Sequence, residues 1–147
     1  MMDVKEDFVL DNSVTMSWCF PDEHDSYAQD VLKALPGSAA AVPTLWPLEV
    51  ANILLVGERR GRISQADTAT FIGLLEGLPI RIDDETTEHA MKASLNLARA
   101  QNLSVYDATY LELALRRGLP IATLDAKLRA AAAAVGIQLY AMPLASE

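Results

Sequence analysis

Four acidic residues stand at positions that are typical of a metal site in an α/β protein. Asp11 follows the apolar run Phe8-Val9-Leu10, and Asp125 follows a second apolar run. Glu49 and Asp107 fall in the first turns of predicted helices. In an open α/β sheet, ligands gather at the carboxyl ends of strands and the amino ends of the following helices. We therefore expect these four carboxylates to meet at one edge of a sheet.

Close carboxylates repel one another, and without a cation at least one of them has a raised pKa. A divalent ion removes this repulsion, and Mg²⁺ and Mn²⁺ prefer oxygen ligands. Such a site suits phosphodiester hydrolysis, because the ion polarises a phosphoryl oxygen and lowers the pKa of a water that a carboxylate can deprotonate. Ser13 and Thr123 lie two residues from Asp11 and Asp125, and their hydroxyl groups are expected to support those acids from outside the metal's own ligand set.

Each acid also has a purely structural explanation. Asp107 could complete a capping box with Ser104, and Glu49 could simply favour the positive end of its helix. Asp125 could be an N-cap, and Asp11 could be an ordinary loop acid. The combination of the four is more informative than any one of them.

The elements that must position these acids alternate between strands and helices. Apolar runs between turn signals predict strands, and apolar side chains at three- and four-residue spacing predict helices. The predicted strands cover residues 8–10, 39–42, 79–83, 121–125 and 137–140, the third of them near an edge; the predicted helices cover 13–20, 24–35, 47–60, 64–78, 86–101, 104–117 and 126–135. Strands separated by helices predict a parallel sheet that is covered on both faces.

Local signals predict where several helices begin and end. Ser13 and Ser104 are expected N-caps, and Gly118 ends the helix that Ser104 begins. Ser64 and Asp67 have the spacing of a capping box.

Three interpretations concern burial. The helix that starts at Pro47 is apolar on most sides, so we expect it to be well buried. Leu74 and Met91 are expected to face inward from their helices. Cys19, the only cysteine, lies between two aromatic residues and is expected to be a small buried side chain without a disulfide partner.

The composition limits the class of protein. With 147 residues, 51% of them hydrophobic, the chain suits one domain over residues 1–147, with a core at about 8–140 and short tails at both ends. No apolar run reaches the roughly 18 residues that span a membrane, and the first residues are acidic, so we expect a cytoplasmic protein.

A net charge of −8 argues against a general nucleic-acid coat protein, because such proteins neutralise phosphates with Lys and Arg. The charge does not exclude a nuclease that holds divalent ions. Arginines could add local cationic patches, although a role at helix C-termini is the favoured interpretation for most of them. These arginines are Arg59, Arg60, Arg62, Arg116 and Arg117.

Four motifs together resemble a known family. They are the run from Phe8 to Val14 with Trp18 and Phe20, then Leu48-Glu49-Val50-Ala51-Asn52, Tyr106-Asp107-Ala108 and Thr123-Leu124-Asp125. In this order and at these distances they resemble the motifs of PIN-domain proteins, and more narrowly those of VapC-type toxins of toxin-antitoxin pairs.

The resemblance implies a three-layer α/β/α domain and an endoribonuclease that depends on Mg²⁺ or Mn²⁺. Asp11, Asp107 and Asp125 would be metal ligands, and Glu49 would help to coordinate the ion and hold or activate the attacking water. The partners that it implies are an RNA substrate, a second copy of the chain and a cognate antitoxin protein. Ser17 stands where such toxins often carry a lysine or arginine.

Two other functions stay open on the sequence alone. A Mg²⁺-dependent phosphatase could use a similar sheet, but Asp11-Asn12-Ser13 lacks the second aspartate of the usual phosphatase motif. A non-catalytic module that binds a protein partner is the second alternative, although it gives no reason for so many carboxylates at one edge.

Overall fold

Four short parallel strands form the sheet in the part of the chain that this computed structural model describes, residues 5–141. They are β1 (Phe8–Leu10), β2 (Ala40–Val42), β3 (Ile80–Ile82) and β4 (Ile121–Ala122), and they lie in the order β3-β2-β1-β4. At the centre, Val9 of β1 lies opposite Ala41 of β2 and Ile121 of β4. All residues of β1 and β2 are buried, as expected for a parallel sheet with both faces covered.

Helices fill the connections between these strands, and one more helix follows β4. They are α1 (Asn12–Cys19), α2 (Ser26–Ala34), α3 (Trp46–Arg59), α4 (Gln65–Glu76), α5 (Thr86–His89), α6 (Leu95–Gln101), α7 (Val105–Arg117) and α8 (Ala126–Ala134), and the π-helical segment Ala90–Ser94 joins α5 to α6. None of the helices within residues 5–141 is long and apolar enough to span a membrane.

The direction of the connections explains the layers. The chain moves from β1 through β2 to β3, and then returns past β1 to β4 on its other side. Right-handed connections therefore put α1 to α4 on one face of the sheet and α5 to α8 on the other. The contacts of α1 with α2 and α3, and of α7 with α6 and α8, agree with this arrangement. The predicted three-layer α/β/α fold with a parallel sheet is confirmed.

This strand order creates a switch point between β1 and β4. The connection that leaves β1 runs to one side of it, towards β2, whereas β4 pairs with the opposite side of β1. Open α/β sheets leave a crevice at such a point, outside the carboxyl ends of the strands. The first residue after β1 is Asp11, and its amide donates to the carbonyl of Ala122 at 2.9 Å. The crevice therefore lies beside Asp11.

The last predicted strand is mostly wrong. Residues near 137–140 form one isolated parallel bridge, between Leu139 and Ile121. The amide of Ile121 donates to the carbonyl of Gln138 at 3.0 Å, and the amide of Tyr140 donates to the carbonyl of Ile121 at 2.7 Å. These two hydrogen bonds to Ile121 align the segment with β4, but they form a single bridge and not a strand.

The predicted extent of β4 is also wrong, since the strand ends at Ala122 and not at Asp125. The residues that follow bond to side chains and not to a neighbouring strand. The amide of Leu124 donates to the Ser13 hydroxyl at 2.9 Å, and the amide of Asp125 donates to the Thr123 hydroxyl at 3.0 Å.

The predicted burial of α3, Leu74 and Met91 is wrong. Leu48 and Leu55 of α3 are 72% and 41% exposed, because the buried stripe of this helix is narrow. Leu74 is 47% exposed, since α4 turns Phe71 and Leu75 towards the core in its place.

Met91 is 85% exposed, although its spacing predicted an inward position. It lies in the π-helical segment, and a π turn adds a residue and changes which side chains face the core. Cys19 is only partly buried, so its predicted burial holds in part.

The favoured interpretation was that arginines such as Arg116 and Arg117 only complement the C-terminal end of a helix, and for these two it is wrong. Both bind Asp83, whose side chain is fully buried after β3: Arg116 Nη2 lies 2.7 Å from Oδ2, and Arg117 Nη2 lies 2.8 Å from Oδ1. Arg116 also binds Glu112, and Arg117 binds Glu6 ahead of β1. These two arginines therefore connect three parts of the fold and are not available as a phosphate-binding patch.

Candidate metal centre

Asp11 lies at the switch point and is almost completely buried. Its Oδ2 accepts hydrogen bonds from the Ser13 hydroxyl at 2.6 Å and the Thr123 hydroxyl at 2.8 Å, and a long bond of 3.4 Å from the Ser13 amide. The amide bond makes Asp11 the N-cap of α1, so the prediction that Ser13 caps this helix is wrong. All three bonds engage Oδ2, which leaves Oδ1 of the same carboxylate for another partner.

Ser13 and Thr123 connect the start of α1 to the loop after β4. Their hydroxyl oxygens are 3.3 Å apart, and Thr123 is completely buried. Both hydroxyls also accept hydrogen bonds from backbone amides of the loop, Ser13 from Leu124 and Thr123 from Asp125. Since each hydroxyl donates to Asp11 while accepting from the loop, the pair fixes the carboxylate relative to β4. The predicted position of Ser13 and Thr123 beside the acids agrees with these contacts.

Glu49 reaches the same region from the first turn of α3, as predicted. Its Oε1 accepts a hydrogen bond from the Tyr110 hydroxyl at 2.5 Å. Tyr110 is completely buried and lies three residues after Asp107 on α7, which puts the two side chains on neighbouring positions of that helix. A single bond therefore joins α3, on one face of the sheet, to α7 on the other.

Asp107 is the third residue of α7, and its amide donates to the hydroxyl of Ser104 at 3.0 Å. Ser104 is thus the N-cap, as predicted, and Gly118 ends the helix with a φ of +65°. Within residues 5–141 the complete capping box occurs at the start of α4, where Ser64 and Asp67 make both of its bonds. Ser104 caps α7 with its hydroxyl, and a hydrogen bond between the Ser104 and Asp107 side chains lowers the pKa of Asp107, so the Asp107 carboxylate also takes part in the start of the helix.

Asp125 is exposed and caps α8, because its Oδ1 accepts a hydrogen bond from the amide of Leu128 at 3.0 Å. The structural explanation that the sequence allowed for this residue is therefore correct. It does not compete with metal binding, since a carboxylate has a second oxygen.

The electrostatics of the first three acids agree with close spacing. Burial raises the pKa of Asp11, and the negative charge of Asp107 raises it further, against the hydrogen bonds from Ser13 and Thr123 that lower it. Burial also raises the pKa of Glu49, with smaller contributions from Asp11 and Asp107 that act in the same direction. The pKa of Asp107 is raised by burial and then by the charge of Asp125, against a hydrogen bond with the Ser104 side chain that lowers it. The pKa of each of these three carboxylates is therefore raised in part by the charge of another acid of the predicted set.

The set is nevertheless more widely spaced than a closed ligand cage. In the part of the chain that the structure describes, groups of three or more potential ligand atoms within 4.8 Å of one another occur in Asp83–Asp84–Glu85 and Glu85–Glu88–His89. The four predicted acids do not form such a group. In the first of these groups, Asp83 is already paired with Arg116 and Arg117. Burial raises its pKa, but hydrogen bonds from Arg116 and Thr86 outweigh that effect and lower it to about 2.

The predicted residues still fit a divalent ion of the magnesium type. Mg²⁺ usually keeps several waters and binds one or two carboxylates directly, so the acids around it need not touch one another. The donors here are all oxygens, and Asp11 presents Oδ1 on a carboxylate that three hydrogen bonds fix in place. The assignment of Asp11, Glu49, Asp107 and Asp125 as ligands stays a prediction that this geometry supports.

Two residues near the acids were not predicted. Tyr110 holds Glu49, and Asn12 contributes a hydrogen bond that lowers the pKa of Glu49. Asn12 follows Asp11 directly, so its proximity was a usable signal. Tyr110 had a weaker one, namely its spacing of three residues from Asp107 on a helix.

Comparisons with known proteins agree with this fold. A family model described as the PIN domain matches residues 8–134. The crystal structure of PAE2754 from Pyrobaculum aerophilum is similar, with a TM-score of 0.63 and 23% sequence identity, over 86% of this chain and 79% of that chain. No curated protein matches. Because the family model covers most of the sequence and the motifs lie at the switch point of the sheet, this chain belongs to the PIN-domain family.

Proposed function

We propose that this protein is an endoribonuclease that uses Mg²⁺ or Mn²⁺ to hydrolyse phosphodiester bonds of RNA. PIN domains are typically metal-dependent nucleases that act on RNA or DNA. The observation that carries the proposal is the collection of carboxylates at the switch point, where Asp11, Glu49 and Asp107 all have a raised pKa. Burying like charges together is unfavourable unless a cation offsets them, so the arrangement favours a bound divalent ion.

In the proposed reaction, Asp11, Asp107 and Asp125 would hold the ion, with Asp11 contributing Oδ1. A bound divalent ion polarises a phosphoryl oxygen and lowers the pKa of a bound water. Glu49 would orient the attacking water and accept its proton, while the Tyr110 hydroxyl holds its Oε1. Ser13 and Thr123 would keep Asp11 in a single orientation throughout.

The first experiment measures cleavage of a structured RNA by the purified protein in Mg²⁺, Mn²⁺ or EDTA. Asp11→Asn and Asp107→Asn keep the size of each side chain and remove its charge. We expect each to lower the cleavage rate by more than about 100-fold, the upper range for residues that only support a metal ligand. Wild type in EDTA should be equally inactive.

The matched control is Asp30→Asn, since Asp30 is an exposed acid on α2 and is not one of the predicted ligands. This variant should cleave as fast as wild type. Equal rates in all four proteins would overturn the proposed site. Cleavage that persists in EDTA would overturn the metal dependence.

We also propose the narrower role of a VapC-type toxin, active in the cytoplasm and inhibited by a cognate antitoxin. Exposed apolar side chains that lie together support the presence of a protein partner, because contiguous apolar patches on a surface are typical of interaction sites. Ile82, 54% exposed, and Ile72, 40% exposed, line one groove together with Leu75 and Leu78.

The toxin role has its own test. Expression of the wild-type chain in a bacterium should arrest growth, whereas Asp107→Asn should not, and coexpression of a small protein encoded beside it should restore growth. We also propose that the protein is a homodimer. Light scattering of the purified protein should then give twice the mass of one chain. Normal growth on expression of an active nuclease would contradict the toxin role and leave the enzyme assignment intact.

A further inference from the structure

A second feature lies directly beside the acids. The α1–α3 cleft, of about 480 Å³, lies between α1, the C-terminal half of α3 and the loop after β4. Its polar lining is formed by Asn12, Ser13, Glu23, Asn52, Arg60, Arg62 and Asp125. Its volume falls in the range of about 300 to 1,000 Å³ that is typical of small-ligand sites.

The cleft is continuous with the candidate metal centre. Asn12 and Ser13 follow Asp11 directly, and Ser13 donates to Asp11 Oδ2 at 2.6 Å. Asp125, one of the four predicted acids, lines the cleft itself. A polymer with one phosphate at the acids could therefore continue into this cleft.

The two arginines of the cleft differ in their partners. Arg62 Nη2 binds Asp22 Oδ1 at 2.8 Å and Glu23 Oε2 at 3.0 Å, and its guanidinium lies 4.0 Å above the ring of Phe20. Two carboxylates therefore already offset its charge. Arg60 is exposed at the end of α3, and among residues 5–141 no ion pair or hydrogen bond engages its guanidinium.

The charge of Arg60 matters because the protein as a whole is acidic. With a net charge of −8, the chain repels RNA at long range, so attraction must come from local cations near the acids. Arg60 supplies one such cation at the wall of the cleft. Asn12 and Asn52 add side-chain amides that can donate to phosphate or sugar oxygens without a sequence preference.

We propose that the α1–α3 cleft binds the single-stranded RNA backbone next to the scissile phosphate, with Arg60 as a phosphate contact. This inference rests on the proposed nuclease function. An unpaired strand is the favoured occupant, because it can bring one phosphate to Asp11, which is almost completely buried, while its neighbouring phosphates lie in the cleft.

The test compares two neighbouring arginines. Arg59 and Arg60 are both exposed at the end of α3, but only Arg60 lines the cleft. Binding of a fluorescein-labelled single-stranded RNA with phosphorothioate linkages, which resist hydrolysis, is measured by anisotropy in Mg²⁺ at several KCl concentrations. For Arg60→Gln we expect affinity to fall about fivefold and the slope of log K against log salt to become shallower by about 0.7, the value for one phosphate contact on a single strand.

Arg59→Gln should bind like wild type, and Arg60→Lys should keep most of the affinity because it keeps the charge. In cleavage assays with unmodified RNA, Arg60→Gln should raise KM with kcat unchanged, as expected for lost substrate binding. Thermal unfolding of the three variants checks that their folds are intact.

The outcomes separate the two proposals. If wild type cleaves RNA and both Arg60→Gln and Arg59→Gln bind and cleave RNA like wild type, the cleft assignment is wrong and the nuclease assignment stands. If both variants weaken binding equally, only general electrostatic attraction is present and the cleft assignment is again wrong. If wild type neither binds nor cleaves RNA, the proposed function fails and the cleft assignment fails with it.

Discussion

The bond between Glu49 and Tyr110 connects two acids of the candidate site through one helix. Tyr110 lies three residues after Asp107, so α7 supplies both a predicted ligand and the group that holds Glu49. Because Tyr110 is completely buried, its hydroxyl has little freedom to leave Glu49. Any change in the position of α7 must therefore move Asp107 and Glu49 together.

Tyr110→Phe should separate orientation of Glu49 from its charge. Removing the hydroxyl leaves Oε1 without its donor, so we expect kcat for RNA cleavage to fall by about 10- to 100-fold, the range for groups that orient a metal-site residue. KM should change little. Steady-state kinetics would measure both values, and Tyr106→Phe is the matched control, because Tyr106 is on the same helix and 67% exposed.

A loss of kcat that Tyr106→Phe shares would contradict this role of Tyr110. Thermal unfolding of both variants is needed as well. A lost hydrogen bond to a charged group costs about 1.5 to 3 kcal/mol of stability, and a protein that is partly unfolded would lose kcat for that reason alone.

Residue types and spacing predicted the acidic set but not the groups that hold it. Asp11, Glu49 and Asp107 were readable because acids after a strand or in a first turn stand out from an apolar background. Tyr110 was not, because an aromatic residue on the buried face of a helix is usually part of the core. Ser13 was placed correctly beside the acids and wrongly as a cap, because Asp11 performs that role as well.

Two helices of this protein begin with the same pattern and differ in what the acid does. Asp67 bonds back to the amide of Ser64 at 3.2 Å, which completes a capping box at the start of α4. Asp107 occupies the same position of α7, where its carboxylate interacts with the Ser104 side chain and also, electrostatically, with Asp125. The sequence pattern alone does not distinguish these two environments.

This pair gives a matched test of what a cap contributes to the site. Ser64→Ala and Ser104→Ala each remove an N-cap, so each should lower the free energy of unfolding by about 1 kcal/mol. Only Ser104→Ala should also lower the cleavage rate, because the first turn of α7 positions Asp107. Urea unfolding and RNA cleavage measure the two effects, and an equal loss of cleavage in both variants would contradict the distinction.

Some elements were predictable because their signals are local, and others were not. The start of α7 at Ser104 and its end at Gly118 follow from a cap and a glycine at positive φ, and both were predicted. The π-helical segment Ala90–Ser94 has no such signal, so the exposed position of Met91 was missed. The segment near Leu139 has the composition of a strand, but pairing depends on a partner that pattern does not reveal.

Across the whole molecule, Asp83 connects distant parts of the chain. Burial alone would raise the pKa of Asp83, but hydrogen bonds from Arg116 and Thr86 and the charge of Arg116 lower it to about 2. Arg117 joins the same carboxylate to Glu6 ahead of β1. The fold therefore depends on Asp83 being ionised.

This dependence predicts how stability varies with pH. The folded pKa is lower than the ordinary value of 3.8, so the stabilisation is complete above about pH 5 and is lost as pH falls towards 2. A difference of this size corresponds to about 2 kcal/mol. The difference in unfolding free energy between wild type and Asp83→Asn should be largest at neutral pH and shrink in acid, as urea unfolding at several pH values would measure.

A difference that stays constant from pH 7 to pH 3 would show that Asp83 acts through packing and not through its charge. Asp84→Asn is a suitable control, because Asp84 is the exposed neighbour of Asp83. Its pH dependence should match that of wild type.

The order of the acids along the chain has a consequence for synthesis. Asp11, Glu49, Asp107 and Asp125 come from four different connections, and β4 must pair with β1 before Thr123 can reach Asp11. A nascent chain that has emerged only as far as α6 holds just the first two. An enzyme built on these acids would therefore gain its activity only after the ribosome has made most of this domain.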